Sequence, residues 1–386
     1  MNEIPHVALL IETSREYGRG ILRGIARYQQ EFGPWSVYLK THGLNEPPPK
    51  WLKNWNGDGI LARINDGRTA KAVLATGLPV VDLRGALPVG VPFIGVDNRP
   101  VAQLAFDHLK ECGLKRFAFC GSPRGENPNQ DFRCDYFKKI VTAAGYECEI
   151  CLGTGKPGKK VDWEKEQQFL AEWIAGLPKP IGLMTCHDDR GQQVLDACRR
   201  AKLSVPEQVA VVGVDNDTHL CNLCTPPLTS IDVQSSRIGY AAAELLSRMM
   251  KGEPQPETPI LIGPPRGIAA RRSTDMISIE DQQVAKSLKF IRDNANRPIS
   301  VGDVQVQSGL SVSVFERRFK SAIGRTTKAE ITRVRLNRAK LLLTETNLPI
   351  TRIAQQSGFR ESKYFCEVFR KTEGMTATQY RGQFTN

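Results

Sequence analysis

Along the first 251 residues, short apolar runs alternate with stretches whose apolar side chains recur every three or four positions. Residues 7–11 form the first run, and Ile21, Ile25 and Tyr28, at i, i+4 and i+7, mark the helix after it. Residues 35–39, 59–62, 93–96, 117–120, 146–150, 181–185 and 209–214 read as further strands. Residues 101–112, 132–144, 163–175, 191–201 and 236–251 carry helical spacing. Short strands separated by helices of ten to fifteen residues are βαβ units, which build parallel sheets. The pattern predicts two α/β lobes, roughly residues 1–105 and 106–235, with a cleft beyond the carboxyl ends of their strands. A Pro-rich stretch follows the helix at 236–251.

From about Asp281 the period changes, and the remaining residues show helical patterns only. They also repeat. Val304, Ser308, Gly309, Leu310 and Phe315 return 49 residues later as Ile353, Ser357, Gly358, Phe359 and Tyr364; Phe319, Lys320 and Gly324 return at offset 50 as Phe369, Arg370 and Gly374. Each copy reads as helix, Gly-containing turn, helix, the unit whose second helix enters the DNA major groove. In the first copy Ser311 is placed to cap the second helix. Phe315 and Phe319 face the core there, so Ser313, Glu316 and Arg317 project from the other side. In the second copy Phe365 and Phe369 take the buried role, leaving Ser362, Lys363, Cys366 and Glu367 outside. Between the copies, Leu336, Ala339 and Leu343 mark a helix over residues 327–343. At 1.5 Å per residue it spans ~25 Å, on the scale of the ~34 Å turn that separates successive major grooves.

Charge sharpens this division. The net charge is +12 over 386 residues. Residues 284–386 hold 19 Lys/Arg against 8 Asp/Glu, a net of +11, and the preceding residues are almost balanced at +1. A polyanion partner is therefore expected at the C-terminal end, and double-stranded DNA fits the repeat there. The domains expected are a sensor over 1–274, a linker over 275–283 and a DNA-binding domain over 284–386. Apolar content of 40% and charged content of 24% are ordinary for a globular chain.

Several classes drop out. The apolar runs are far shorter than the ~20 residues that cross a bilayer. The first residues lack the basic and apolar regions of a secretion signal, so a cytoplasmic location with reduced thiols is expected for the ten cysteines. Cys148 and Cys151 sit at offset 3 in an apparent strand, which sends their side chains to opposite faces and argues against a zinc site with Cys221 and Cys224. The glycines at 18, 20 and 24 are spaced one residue too long for a dinucleotide fingerprint, and Tyr38-Leu39-Lys40 ends the second strand without an acid for a ribose. His187-Asp188-Asp189 lacks the further ligands or nucleophile of a catalytic cluster. We therefore expect no cofactor, no metal, no catalytic residues and no enzyme.

The C-terminal segment resembles the AraC-type DNA-binding domain. The likeness rests on Ser308-Gly309-Leu310-Ser311, Arg318-Phe319-Lys320, Gly324, Arg335-Leu336, Ala339, Leu342-Leu343, Ile353-Ala354, Ser357-Gly358-Phe359, Tyr364-Phe365, Phe369-Arg370-Lys371, Gly374 and Tyr380-Arg381. It departs at Met375-Thr376-Ala377, where that family usually has Pro. The resemblance implies Val312, Ser313, Glu316 and Arg317 as base readers of the first unit, and Ser362, Lys363, Cys366 and Glu367 as those of the second. Lys320, Arg370 and Lys371 fit phosphate contact.

The first 274 residues resemble the LacI-like, type I periplasmic-binding-protein family, through residues 13–18 before a helix, Leu78-Pro79-Val80-Val81, Gly95-Val96-Asp97-Asn98, Arg133, Thr185-Cys186-His187-Asp188, Gly213-Val214-Asp215-Asn216 and Ala269-Ala270-Arg271-Arg272-Ser273-Thr274. Carried over by position, the ligand-facing candidates are Ser14, Arg15, Tyr17, Arg84, Arg133, Asp188 and Asp215. Carboxylates and guanidinium groups can share a sugar's hydroxyls as acceptors and donors. The same charges would also serve structurally, as an Arg133–Asp188 or Arg133–Asp215 ion pair between lobes. A sensor of this kind ahead of an AraC-type reader is the order found in the bacterial xylose-operon regulator family. That resemblance implies a homodimeric transcription activator of sugar-catabolism genes, with a xylose-like effector and RNA polymerase as partners.

Overall fold

The computed structural model describes residues 4–39, 46–155, 161–262, 267–275, 281–346 and 348–382. The chain divides into two compact units, Met1–Met276 and Ile277–Asn386.

The first unit holds twelve described strands: β1 (His6–Leu10), β2 (Ser36–Leu39), β3 (Gly59–Ala62), β4 (Val80–Asp82), β5 (Ile94–Val96), β6 (Phe117–Cys120), β7 (Cys148–Cys151), β8 (Ile181–Thr185), β9 (Val209–Val214), β10 (Thr229–Asp232), β11 (Ile260–Ile262) and β12 (Gly267–Ala269). One sheet runs β2-β1-β3-β4, all parallel. β5 pairs with β11 and touches β4 through an Asp82–Phe93 bridge. The other sheet runs β12-β10-β9-β8-β6-β7, parallel except for β12. Every residue of β8 and β9 is buried, as expected where helices cover both faces of a parallel sheet. This is the two-lobed α/β architecture that the alternating pattern implied.

The lobe boundaries differ from the simple split at residues 105 and 235. Helix Asn98–Glu111 packs on helix Pro128–Ala143, and so belongs to the second lobe. Helix Ser235–Met250 and β11 return to the first, the helix packing on helix Glu16–Phe32 and the strand on β5. That helix pair needs glycine. A Cβ on Gly24 would lie 1.9 Å from the Ser236 carbonyl oxygen, and one on Gly239 would lie 2.0 Å from that of Ile21. Of the glycines that imitate a dinucleotide fingerprint, Gly20 and Gly24 thus serve a close helix–helix approach, and Gly18 packs on the Glu12 carbonyl.

The second unit is all helical: Gln282–Asn294, Val301–Ser308, Val312–Ile323, Thr327–Glu345, Ile350–Gln356, Ser362–Glu373 and Ala377–Gly382. It has two separate apolar cores. Val284, Leu288, Ile291, Val304, Phe315, Phe319, Ile323 and Ile331 fill the first. Leu336, Ala339, Leu343, Ile353, Phe359, Phe365 and Phe369 belong to the second. Helix Thr327–Glu345 thus contributes buried residues to both, Ile331 to the first and Leu336, Ala339 and Leu343 to the second. Ser300 and Asp303 close a reciprocal capping box on helix Val301–Ser308. Ser311 occupies the N-cap position of the next helix, but its side chain makes no capping bond. At the departure from the AraC pattern, the Thr376 hydroxyl accepts from Gln379 N (3.2 Å) while Gln379 Oε1 accepts from Thr376 N (2.9 Å). A capping side chain there takes the place of the usual proline. Most of the expected linker, 276–280, lies outside the described residues; Asp281 caps helix Gln282–Asn294 and pairs with Arg318 at 2.5 Å.

Candidate functional site

Between the two lobes lies a polar cleft lined by residues from both. Strand ends and the turns after them build it. Arg15 and Tyr17 start helix Glu16–Phe32 beyond β1, Arg63 follows β3, Arg84 follows β4, and Asp215 follows β9; Asn127, Asn129, Gln130 and Arg133 come from the start of helix Pro128–Ala143. Of the residues expected to face a ligand, Arg15, Tyr17, Arg84, Arg133 and Asp215 line this space together. Ser14 is exposed and outside the lining. Asp188 is also outside it. It is buried, accepting from the Ser230 hydroxyl (2.6 Å) and Asp217 N (2.7 Å), which fixes the turn that carries Asp215.

Neither anticipated Arg133 ion pair forms. Arg133 Nε donates to Asn98 Oδ1 at 3.1 Å and Nη1 donates to the Cys186 carbonyl, while Arg15 pairs with Asp189 at 3.0 Å. Asn98 also donates to Asn129 Oδ1 (3.2 Å), and Asn129 donates to the Arg84 carbonyl (2.7 Å). One network therefore links the Arg84 backbone on the first lobe to Arg133 on the second, across the cleft. Arg63 pairs with buried Glu12 and lies over the Tyr17 ring, 4.9 Å from its centroid. His187 accepts from Arg190 N (3.1 Å) as a helix cap, which accounts for the His-Asp-Asp run structurally. Among the described residues no group of His, Cys, Asp or Glu is arranged to hold a metal ion.

Three polar atoms of the lining are buried without a hydrogen-bond partner: Arg63 Nε, Arg84 Nε and Gln130 Oε1. Buried polar atoms normally find partners, so two donors and an acceptor in one cleft describe a ligand that offers both acceptors and donors. The sequence reading missed Arg63, Asn127, Asn129 and Gln130. The available signals were a charge at the end of the apolar run 59–64, and Asn127-Pro128, a helix start with Pro at its first position.

Asp215 sits on strained backbone, with φ of +104° where a non-glycine side chain is rare. Burial pushes its carboxyl up to about 6, against the pull of Arg133 and Arg15. Because that value exceeds the unfolded one, ionising Asp215 costs stability: the penalty is absent below about pH 4 and complete above about pH 6. Asp215→Asn is expected to stabilise the ligand-free sensor at pH 7.5 by ~1–2 kcal/mol, the cost of ionising the raised carboxyl reduced for its partial exposure to solvent. Thermal melts of variant and parent should converge at pH 4; equal melting at both pH values would show that the carboxyl carries no such strain.

In the second unit, helix Val312–Ile323 turns Phe315, Phe319 and Ile323 inward. Val312, Ser313, Arg317 and Lys320 are exposed on its outer side, and Glu316 is half-buried. Helix Ser362–Glu373 buries Phe365 and Phe369, leaving Lys363, Cys366, Glu367, Arg370 and Lys371 exposed and Ser362 half-buried. Each helix-turn-helix copy therefore presents one basic helix face, and helix Thr327–Glu345 joins the two copies.

Comparison with known proteins follows the same division. Residues 6–98 match the family model of the XylR N-terminal domain, 106–274 that of a periplasmic binding protein-like domain, and 306–383 that of a helix-turn-helix domain. The xylose operon regulatory protein of Escherichia coli K12 is 31% identical over 382 residues, 97% of this chain and 96% of that protein. The chain belongs to the xylose operon regulator family. The Haemophilus influenzae Rd regulator of the same name is also 31% identical, over 97% of each chain. A solved structure of a xylose-binding transcription activator covers both chains fully at 31% identity, with a TM-score of 0.73. This member of the family is a sugar-responsive, AraC-type DNA-binding transcription regulator.

Proposed function

We propose that this regulator holds a monosaccharide, xylose or a sugar of its size, in the cleft between the lobes, and activates sugar-catabolism genes in response. The observation that carries the reading is the pair of unpartnered donors and the one unpartnered acceptor that line the cleft. Tyr17, Asp215, Arg84 and Arg133 are the contacts we assign to the sugar. Ligand closure of the lobes shifts the chain between arrangements of different DNA affinity, by no more than the sugar's own preference for one of them. The regulator works as a homodimer that places four recognition helices on operator DNA and engages RNA polymerase.

On DNA, Val312, Ser313, Glu316 and Arg317 read bases from the first helix-turn-helix copy, and Ser362, Lys363, Cys366 and Glu367 from the second. Lys320, Arg370 and Lys371 hold phosphates. Fluorescence anisotropy on a selected operator, with and without D-xylose, tests the whole reading. A sugar-dependent change in affinity is expected; affinity indifferent to every monosaccharide would leave a ligand-blind DNA-binding protein. Arg317→Ala should cost ~1–3 kcal/mol on that operator and relax the preference at one base pair. An equal loss on random DNA would reassign Arg317 to the phosphates.

A further inference from the structure

Three consecutive residues after β9 make three different attachments. Asp215 lines the cleft. Asp217 caps helix Thr218–Leu223 and pairs at 2.7 Å with Arg19, which belongs to the first lobe. Between them, Asn216 Oδ1 accepts from Arg271 Nη2 at 3.0 Å. Asp215 and Asn216 both hold positive φ, +104° and +52°. Such residues persist only where their neighbours over-determine them. Here Asn216 N donates to the Ser230 hydroxyl at 3.0 Å, and that hydroxyl donates in turn to Asp188.

Arg271 begins the short segment, residues 271–275, with which the sensor closes before the chain passes to the second unit. Its guanidinium is buried and also donates to Asn222 Oδ1 at 3.1 Å and the Leu228 carbonyl at 3.0 Å. Asn216 precedes helix Thr218–Leu223 and Asn222 lies near its end, so one arginine holds the short helix at both ends. The rest of the segment is fixed to the second lobe. Ser273 Oγ donates to the Val211 carbonyl at 2.6 Å, and Thr274 Oγ1 lies 2.7 Å from His108 Nε2. Coupling between two sites needs an element that both of them bias. The turn at 215–217 touches the cleft, the opposite lobe and the root of the linker at once. Lobe closure moves Arg19 against Asp217, a sugar on Asp215 loads the same turn, and the Asn216–Arg271 bond passes either displacement to residues 271–275.

We propose that residues 215–217 relay the sugar signal out of the sensor, with Asn216 and Arg271 as positioning residues that tie the turn to the start of the linker. The inference rests on the sugar reading above and names the route by which the bound sugar reaches the DNA-binding unit.

Asn216→Gly tests it, because glycine keeps the positive φ and deletes only the acceptor, while Asn216→Asp restores an acceptor for Arg271. Full-length chains are titrated with D-xylose by calorimetry, and with operator DNA by fluorescence anisotropy in its presence and absence. In Asn216→Gly the D-xylose Kd off DNA should stay within about three-fold of the parent's. The sugar-dependent change in operator affinity, about 5–150-fold for a typical coupled pair of sites, should fall below about two-fold. Asn216→Asp should recover it. If Asn216→Gly does not fold, Arg19→Gln decides, since it alters a partly exposed ion pair of little weight in stability; its sugar response should fall about three-fold or more. A full sugar response in the deciding variant would overturn the relay and leave the sugar reading standing. Loss of D-xylose binding in Asn216→Gly would also overturn it, by placing Asn216 in the site itself, as would an Asn216→Asp chain no more responsive than Asn216→Gly. A parent chain whose operator affinity ignores D-xylose and every other monosaccharide would overturn the sugar reading and the relay with it.

Discussion

Gly358→Ala is expected to cost the DNA-binding unit about 2–5 kcal/mol, whereas Gly309→Ala, at the equivalent place in the repeat, costs about 1–2 kcal/mol. Both glycines hold positive φ, +86° and +65°, a conformation that charges any Cβ roughly 1–2 kcal/mol. Their surroundings separate them. Nothing lies within 4 Å of a Cβ on Gly309, but one on Gly358 would fall 1.8 Å from the Ala295 carbonyl oxygen and 2.9 Å from Arg335 Nε. That carbonyl is half of a seam between the two helix-turn-helix units. Arg335 donates to Ala295 O at 3.0 Å, Arg297 O at 2.9 Å and Ile299 O at 3.2 Å, fastening the long helix to the segment after helix Gln282–Asn294. A methyl group at Gly358 has to push this seam apart. Urea unfolding of the two variants makes the comparison, and similar midpoints would show that the seam contributes no stability.

Phe369→Ala is the second large effect, at ~3–5 kcal/mol for truncating a fully buried aromatic ring. Its consequence follows from the separation of the two cores. Phe369 packs with Phe365 and Tyr380, in a cluster that shares no residue with the one around Phe315 and Phe319. The variant should lose amide protection in residues 350–382 and keep it in 282–323, as read by hydrogen exchange. Operator affinity should fall at least a hundred-fold, and the slope of log affinity against log salt should drop towards half as one unit's phosphate contacts disappear. Loss of protection across both units would mean that the domain unfolds as a single cooperative body.

Much of this structure was legible in the sequence because long elements carry a period. β3, β6, β8 and β9 lie where apolar runs placed them, and the 49-residue repeat located both recognition helices. Helix starts were less visible. Helices Pro128–Ala143 and Asp188–Arg200 begin several residues before their apolar stripe, because Asn127 and His187 cap them with side chains whose role shows only in three dimensions. β4, β11 and β12 have three residues each, too few for any period, and missing them hid the chain's return to the first lobe. In the cleft, Arg15, Tyr17, Arg84, Arg133 and Asp215 of the carried-over residues came together while Ser14 and Asp188 did not, and Arg63 and Gln130 did not announce themselves. Arg63 sits inside an apolar run, and Gln130 on a helix turn, where the sequence alone does not say which side chain meets the opposite lobe.

The return of helix Ser235–Met250 and β11 to the first lobe sets an order of assembly. The lobe that emerges first from the ribosome waits long for completion, since the partner of helix Glu16–Phe32 arrives some two hundred residues later. At ~5–20 residues per second, that interval is on the order of ten to forty seconds. During it the glycine face of the first helix lacks its native partner, while most of the second lobe, from Asn98 to Asp232, is made; its edge strand β12 follows only after β11. Synthesis therefore leaves a long window in which the nascent first lobe is a client for chaperones, and a mutation on that helix face would first be felt as lost yield of folded protein.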